Sequence, residues 1–409
     1  EKAPRAAAGG TAPTAGATDE GDDADDEDDD DDGGGGLFVE EAPLAGEELG
    51  AVKPWKAAIF APTNAPDHDD ATPPDDALEL EWVHGFRGFD TRRAALWLPG
   101  SGGRPAPRVV YPAAALVVVY DAAAHAQKFL AKHTDDVLGV AVHRGRQLVA
   151  SAQCAYREGG RTRKPTLWVW EAAADVHHGP FVFTGVNQRQ VYLLAFDRTG
   201  DLLCSVGDDD DHLLVLWDWR KGVALAHVPT HKERIFACRC SPYAPADATA
   251  ATGGGAPAAE LVVAGKGFAR VYRTEEVAAG RALRGTQLKV PSKERAAAQL
   301  TAGFTSDGCA VVGGATGSLH KLQLKTGKLV ATAANAHGGA IHVVCEGPGG
   351  ALLSCGKDGE IRMWSAALEP VRSHALLTAV AQALPLLTPR ADGRPPRLRA
   401  LDWDDPTGA

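Results

Sequence analysis

From residue 78 onward, short apolar runs alternate with turn-forming residues. Typical runs are VLGVAVH, LWVWE, VYLLAF, LLVLWDW and ELVVAG, and Gly, Asp, Pro and Asn separate them. Such runs of β-branched and aromatic residues, each bounded by turn residues, predict β-strands. The apolar residues of this region show no sustained helical spacing. The pattern therefore predicts an all-β body.

The strand pattern repeats along the chain. Each repeat is marked by the residue that closes a run of the form apolar-x-aromatic, and successive markers lie 42–55 residues apart. The markers are Tyr120, Trp170, Trp217, Tyr272, Leu322 and Trp364. A period of this length, with Trp217 followed by Asp218, is typical of WD repeats, each of which forms one blade of a β-propeller. We therefore expect a WD-repeat β-propeller of about six blades.

The repeat that ends at Trp364 is the most regular one. Its resemblance to WD repeats implies that His337, Ser354, Asp358 and Trp364 form a hydrogen-bonded tetrad within one blade. A hydroxyl, an imidazole and a carboxylate can satisfy one another and the indole N–H where unpaired polar atoms would be costly. Ser, His and Asp also form hydrolase triads. We favour the structural role, because all three lie in one repeat without an evident oxyanion-hole loop, and predict no enzymatic activity.

Charge divides the chain into an acidic tail and a mildly basic body. Residues 1–78 hold 22 acidic and 4 basic side chains, whereas residues 79–409 hold 31 acidic and 38 basic ones. Twelve of the carboxylates lie within residues 19–32. So polar a segment buries too little apolar surface to offset its ordering entropy, and we expect residues 1–36 to be disordered. Residues 37–77 mix apolar residues with prolines and are expected to form a linker.

Residues 78–113 carry the most distinctive motif. The segment opens with LELEWVHGFRGFDTRRAALWLPG, in which large apolar side chains interleave with arginines. It closely resembles the hydrophobic motif, called HELP, that precedes the propeller in echinoderm microtubule-associated protein-like proteins. The matching residues include Trp82, Val83, Gly85, Arg87 and Gly88. Together with the WD repeats, the resemblance covers about residues 78–404.

The resemblance implies a non-enzymatic protein that binds tubulin or microtubules in the cytoplasm and cytoskeleton, with the cilium or axoneme as a more specific location. The motif itself has two interpretations: a hydrophobic plug packed against the propeller with Arg87 paired internally, or a tubulin-contacting surface. The resemblance favours the plug. Relatives often carry an N-terminal coiled coil and a basic stretch, whereas no heptad precedes residue 78 here and that region is acidic. A scaffold or adaptor for a non-tubulin complex is therefore the alternative function.

A basic segment in the second repeat is the best local candidate for contacting a partner. Its residues Arg157, Arg161, Arg163 and Lys164 lie in the sequence REGGRTRKP. A solvated loop is one interpretation. The other is a binding site for an acidic partner such as a tubulin tail, because opposite charges steer association. We expect no nucleic-acid partner, since no recognition helix or stacking platform with interleaved basic residues occurs.

We also expect no membrane segment, metal site or cofactor. The sequence contains no run of 18 uncharged apolar residues, and no signal peptide is recognisable. Cys238 and Cys240 lack further ligands at zinc spacing, so we interpret them as core residues. The run Asp208–Asp211 lacks the bidentate Glu of a calcium loop and is interpreted as a solvated turn.

We assign residues 114–409 to the propeller and expect its last blade to be truncated. The segment PPRLRALDWDDPTGA resembles the first strand of a seventh blade, and the blade after the HELP motif looks incomplete. A propeller closes by joining its last blade to its first, which removes exposed strand edges. We therefore expect either a fragment of a longer protein or a missing strand supplied by LFVE or WKAAIF.

Deleting residues 1–36 should strengthen binding to tubulin at low salt. The twelve carboxylates of residues 19–32 carry the same charge as an acidic partner and would compete for basic sites on the body. Because salt screens that competition, the full and shortened chains should bind alike at about 300 mM salt. Microtubule co-sedimentation over a salt series measures the difference. Equal affinities at low salt would contradict the hypothesis.

Overall fold

The computed structural model describes residues 77–375, apart from residues 89–90, 92, 99–107, 159–160, 173–175, 183–188, 245–258 and 278–279. In this part of the chain the fold is all-β, as predicted, and no helix is long and apolar enough to cross a membrane. The expected tail, nearly all of the expected linker, the segments LFVE and WKAAIF and the expected strand of a seventh blade lie outside the described residues.

Six four-stranded antiparallel sheets follow one another along the described chain and form the blades of a propeller, numbered I–VI. Blade I contains β1 (Leu96–Leu98), β2 (Arg108–Ala113), β3 (Leu116–Asp121) and β4 (Ala126–Leu130). Blade II contains β5 (Val137–His143), β6 (Leu148–Gln153), β9 (Thr166–Glu171) and β10 (Val176–Val182), and a separate hairpin contains β7 (Tyr156–Glu158) and β8 (Arg161–Arg163). Blade III contains β11 (Val191–Phe196), β12 (Leu202–Gly207), β13 (Leu213–Asp218) and β14 (Val223–Pro229).

The remaining three blades repeat this plan. Blade IV contains β15 (Ile235–Cys240), β16 (Glu260–Gly265), β17 (Phe268–Val277) and β18 (Gly280–Gln287). Blade V contains β19 (Gln299–Thr305), β20 (Cys309–Gly314), β21 (Leu319–Gln323) and β22 (Leu329–Ala333). Blade VI contains β23 (Ile341–Glu346), β24 (Leu352–Gly356), β25 (Glu360–Trp364) and β26 (Pro370–Ala375). We call the end at which the second strand turns into the third the upper end of a blade.

Blade I differs from the sequence-based prediction. It looked incomplete because its strands were sought only after residue 113. The structure pairs β1 with β2 and β2 with β3, so the segment assigned to the HELP motif supplies the first two strands of a complete four-stranded sheet. Leu98 of β1 and Val110 of β2 are fully buried against blade II. The motif and the propeller therefore share blade I.

The marker residues of the repeat occupy one position in all six blades. In blade III, Trp217 on the third strand lies opposite Leu203, and in blade VI Trp364 lies opposite Leu352. The other markers hold the same place on their third strands: Tyr120, Trp170, Tyr272 and Leu322. The predicted period of the repeat is thus confirmed strand by strand.

The apolar core is divided into layers between neighbouring blades. Along β13, Leu214 and Leu216 pack towards blade IV, whereas Val215 and Trp217 pack towards blade II. Successive side chains of a strand point to opposite faces, so a sheet that is buried on both faces needs apolar residues at consecutive positions. This burial explains the continuous apolar runs that marked the strands in the sequence.

An ion pair links blades that are not neighbours in sequence. Arg239 of β15 donates from Nη2 to Glu346 Oε2 of β23 at 2.9 Å, and the other carboxylate oxygen of Glu346 accepts the backbone N–H of Phe304 at 2.8 Å. Both charged side chains are mostly buried, with 18% and 23% of their surface exposed. A single carboxylate therefore joins blades IV, V and VI at the lower ends of their first strands.

Replacing Arg239 with Ala should lower the free energy of unfolding by about 2 kcal/mol, because Glu346 would keep its charge in a largely buried position without its cation. The Arg372→Ala variant, which changes an exposed arginine on β26, should stay within about 0.5 kcal/mol of the parent. Urea unfolding followed by circular dichroism measures both values. Equal stability of the two variants would show that the pair contributes nothing.

Candidate functional site

The HELP segment is held to blade I through a glutamine side chain. Gln127 of β4 accepts the backbone N–H of Val83 through Oε1 at 2.8 Å and donates from Nε2 to the carbonyl of Val83 at 2.9 Å. The amide group thus satisfies both backbone groups of Val83 as a neighbouring strand would. Gln127 also donates to the Tyr111 hydroxyl at 3.0 Å. Nothing in the sequence singled out Gln127 for this role.

Aromatic packing holds the neighbouring residues of the motif. The Trp82 ring lies 4.9 Å from the ring of His125 and meets Tyr120 edge-on at 6.1 Å, measured between centroids. Gly85 has φ +82°, a left-handed conformation that disfavours any residue with a β-carbon. A β-carbon at Gly88 would stand 2.8 Å from Cε2 of Phe86, so this ring covers the glycine. The backbone conformation therefore favours glycine at position 85, whereas a larger residue at position 88 would have to displace the exposed Phe86 ring.

Arg87 connects the motif to the segment that leads into blade II. Its guanidinium forms an ion pair with Asp136, and its backbone N–H donates to the carbonyl of Pro112 at 2.9 Å. The Arg87 side chain is 16% exposed. The internal pairing of Arg87 agrees with that part of the plug interpretation, but the partner, 49 residues away, was not foreseen. We therefore infer that Arg87 is chiefly a positioning residue.

The basic segment of blade II, for which a solvated loop was one interpretation, includes a short hairpin of two paired strands. Strands β7 and β8 pair with Tyr156 opposite Arg163 and Arg157 opposite Thr162. They continue the second and third strands of blade II beyond its upper end. The sequence REGG did not indicate this extension of the strands, because Gly and charged residues are typical of loops.

Backbone hydrogen bonds fix the base of this hairpin on two sides. The N–H of Cys154 donates to the carbonyl of Asp136 at 3.1 Å, and the N–H of Ala155 donates to the carbonyl of Arg189 at 2.8 Å. Asp136 is the residue that pairs with Arg87, so the HELP motif and the hairpin, two features predicted separately, meet at one residue. On strand β8, Arg161 and Arg163 are exposed, and so is Lys164 after it.

An acidic turn of blade III lies beside the base of the hairpin. Arg189 donates to Asp210 Oδ1 at 2.8 Å, and Gln190 donates to Asp208 Oδ2 at 2.8 Å. Burial raises the pKa of the intervening Asp209 to about 6. The run Asp208–Asp211, interpreted from the sequence as a solvated turn, is therefore partly engaged in hydrogen bonds. Among the described residues, no group of three or more His, Cys, Asp or Glu side chains could hold a metal ion.

The structure brings His337, Ser354, Asp358 and Trp364 together in blade VI. The Ser354 hydroxyl lies 2.7 Å from His337 Nε2 and accepts the indole N–H of Trp364 at 2.8 Å. His337 Nδ1 lies 2.9 Å from Asp358 Oδ1. Ser354 is fully buried and His337 is 2% exposed. The hydroxyl that would have to attack a substrate in a hydrolase is therefore engaged by two side chains and closed to solvent.

Electrostatics within this tetrad favour a neutral histidine beside an ionised aspartate. Burial lowers the pKa of His337, although the hydrogen bond to Asp358 opposes that shift. Burial alone would raise the pKa of Asp358, but hydrogen bonds from His337 and from the backbone N–H groups of Gly338 and Glu360 hold it below the usual value. The charge of Asp358 is thus retained at neutral pH inside a buried network.

Blade II has a variant of the same network. His133 lies 2.7 Å from the Ser151 hydroxyl through Nε2 and 2.9 Å from Gln153 Oε1 through Nδ1. The amide of Gln153 also donates to Thr134 Oγ1 at 2.9 Å. Gln153 replaces the aspartate because the hairpin continues the strands where the turn with Asp358 lies in blade VI. The sequence did not single out Gln153 for this role.

The four-stranded blades, the buried Ser–His contacts of blades II and VI, the Trp–Ser hydrogen bonds of blades III and VI and the HELP segment built into blade I define a WD-type β-propeller. A sequence model described as the echinoderm microtubule-associated protein first beta-propeller matches residues 126–393, and the HELP motif matches residues 73–118. Because the first match covers more than half of the chain, this protein belongs to the echinoderm microtubule-associated protein family.

Similar proteins from animals carry the same family name. Human echinoderm microtubule-associated protein-like 1 is 29% identical over 304 residues, which cover 73% of this chain and 34% of that protein. Human echinoderm microtubule-associated protein-like 2 is 27% identical over 70% of this chain and 41% of its own length. The 77 kDa echinoderm microtubule-associated protein of Lytechinus variegatus is 25% identical, over 75% and 43%. The chain thus matches less than half the length of each relative.

Stability should fall as the pH drops from 6.5 towards 4, because burial lowers the pKa of His133 to about 4 from an ordinary 6.5. Between these values the unfolded chain takes up a proton that the folded chain excludes, so acid favours unfolding by up to about 3 kcal/mol. His133→Asn should weaken this pH dependence, whereas His84→Asn, at an exposed position, should leave it unchanged. Unfolding midpoints in urea at several pH values test this. Parallel pH profiles for both variants would contradict it.

Proposed function

We propose that this protein binds tubulin or microtubules, and that the β7–β8 hairpin is part of the contact surface. The observation that carries the proposal is the set of exposed cations at Arg161, Arg163 and Lys164 on a hairpin anchored at its base. The family and the names of its relatives supply the class of partner. The chain matches less than half the length of each of these relatives, so we propose specifically that the matched part binds tubulin by itself.

The anchoring of the hairpin supports such a role physically. Backbone hydrogen bonds from Cys154 and Ala155 hold its base, so less conformational entropy is lost when a partner binds the hairpin. Exposed cations accelerate encounter with an acidic partner, and the attraction weakens as salt rises. Arg157 was assigned to the same surface from the sequence, and its backbone lies opposite Thr162 within the hairpin.

The protein is proposed to act without catalysis, cofactor or bound metal. The only Ser–His–Asp set singled out by the sequence has its serine buried and hydrogen-bonded to Trp364. We place the protein in the cytoplasm and cytoskeleton, with the cilium or axoneme as the more specific site. A scaffold for a non-tubulin complex is the alternative, which the names of the relatives do not favour.

Charge reversal in the hairpin should weaken microtubule binding. The variant Arg161→Glu/Arg163→Glu/Lys164→Glu should lose at least fivefold in affinity at about 50 mM salt, and the parent should approach it at about 300 mM salt, where screening is stronger. A matched control reverses three exposed but scattered cations, Lys132, Lys328 and Arg372, and should lose less than twofold. Co-sedimentation of the whole chain with microtubules, and gel filtration with tubulin dimers, measure the affinities.

Two results would contradict the proposal in different ways. If the hairpin variant binds like the scattered control, tubulin contacts another surface. If the parent chain, shown to be folded and monodisperse, neither sediments with microtubules nor elutes with tubulin, the scaffold alternative takes its place. Circular dichroism of each variant separates lost binding from lost folding.

A further inference from the structure

Two adjacent blades, IV and V, carry neither the serine nor the aspartate of the blade VI tetrad. The residue two positions after the end of the second strand is Asp209 in blade III and Asp358 in blade VI, but it is Gly267 in blade IV and Thr316 in blade V. The upper turns of blades IV and V therefore lack the carboxylate that blades III and VI place there.

Apolar residues fill the interior positions of the missing network. Where blade VI has Ser354 and Trp364, blade V has Val312 and Leu322, and all four side chains are buried. In blade IV the serine position is Val263. An apolar pair of suitable volume can replace a buried polar network without loss of stability. Blades IV and V thus do not need the aspartate, and their upper surface is free to carry another charge.

That surface carries cations. The segment leading into blade IV exposes Lys232 and Arg234, and the segment leading into blade V exposes Lys293 and Arg295. Arg295 occupies the position that His337 holds in blade VI, four residues before the first strand. Among the described residues, no acidic side chain lies within ion-pair distance of Arg234, Lys293 or Arg295, so these charges face solvent.

Backbone contacts bring the two segments together. The N–H of Lys266, in the upper turn of blade IV, donates to the carbonyl of Arg234 at 3.1 Å, and the Lys266 backbone also bridges to Ala298. The carbonyl of Arg295 lies 3.7 Å from the position that a β-carbon would take at Gly267. Lys266 and Gly267 therefore lie between the cations of both segments, and one continuous surface results.

Two carboxylates lie within the same segments. Glu233 is exposed between Lys232 and Arg234. Glu294 points inward, where His320 Nε2 lies 2.6 Å from its Oε2 and Thr316 donates to the same oxygen at 2.9 Å. The Glu294 carboxylate is therefore held by hydrogen bonds within blade V, and 19% of its side chain is exposed. The four exposed cations of these segments outnumber the two carboxylates, so the surface is net positive.

We propose that this surface, formed by the exposed side chains of Lys232, Arg234, Lys293 and Arg295, binds an extended carboxylate-rich peptide segment of a partner protein. The surface spans two blades, so it suits an elongated ligand better than a single small anion. It is a second site, separate in sequence from the β7–β8 hairpin, and it does not depend on tubulin being the partner. A peptide is favoured over RNA because the Phe268 ring is buried and already stacked on the His231 ring, with centroids 4.3 Å apart, so it offers no free face for base stacking.

Direct binding of a labelled peptide of about twelve glutamates to the whole chain tests the proposal, by fluorescence polarisation at about 50 and 300 mM salt. Arg234→Glu/Lys293→Glu/Arg295→Glu should weaken binding at least tenfold at the lower salt. The neutral variant Arg234→Gln/Lys293→Gln/Arg295→Gln should fall between this variant and the parent. The Lys132/Lys328/Arg372 reversal changes net charge equally and should cost less than threefold.

Other results would overturn the proposal. Equal losses in the surface variant and the scattered control would mean that only net charge matters. A loss confined to the Arg161/Arg163/Lys164 reversal would assign peptide binding to the hairpin, and tighter binding of a labelled uridine oligonucleotide of similar charge would assign the surface to nucleic acid. Microtubule co-sedimentation of the same variants keeps the two sites distinct, because the hairpin proposal fails or survives there independently of the peptide result.

Discussion

The fold depends on one constraint: each inner blade must bury both faces of its sheet against its neighbours. Blade III satisfies it with Leu214 and Leu216 on one side and Val215 and Trp217 on the other. No single central core exists among the described blades, so stability is distributed over the layers between them. Any polar atom within such a layer must find a partner there. Blades II and VI pair their buried polar atoms in histidine–serine networks. Blades IV and V have valines, Val263 and Val312, at the serine position, so no polar side chain needs a partner there.

Surface chemistry follows from that choice. The tetrad of blade VI requires a carboxylate, Asp358, in the upper turn of the blade. A blade without the tetrad can carry other residues in that turn. The hairpin of blade II follows the same logic, since Gln153 completes the network from within the strand and frees the turn to extend. The two positively charged surfaces, the hairpin of blade II and the cations of blades IV and V, therefore lie on blades whose upper turns do not have to supply an aspartate to the interior. Asp136 adds the long-range element, because it links the HELP motif to the base of that hairpin.

The sequence predicted what is local and periodic. The markers from Tyr120 to Trp364 occupy one register, because each lies at the same position on the third strand of its blade. The sequence could not predict ion pairs such as Arg87 with Asp136, because only the folded topology brings these residues together. The first blade looked incomplete because its inner strand, Leu96–Leu98, has three residues and lies inside a motif recognised for other reasons.

The ion pair between Arg239 and Glu346 has a consequence for synthesis of the chain. Each sheet is built from consecutive strands, so a blade can form soon after its residues leave the ribosome. Arg239, however, must wait for a carboxylate made 107 residues later, which is about 5–20 s at ordinary translation speeds. During that interval blade IV presents an unneutralised guanidinium at the growing edge of the structure. The charge of Arg239 keeps that edge hydrated until Glu346 of blade VI pairs with it.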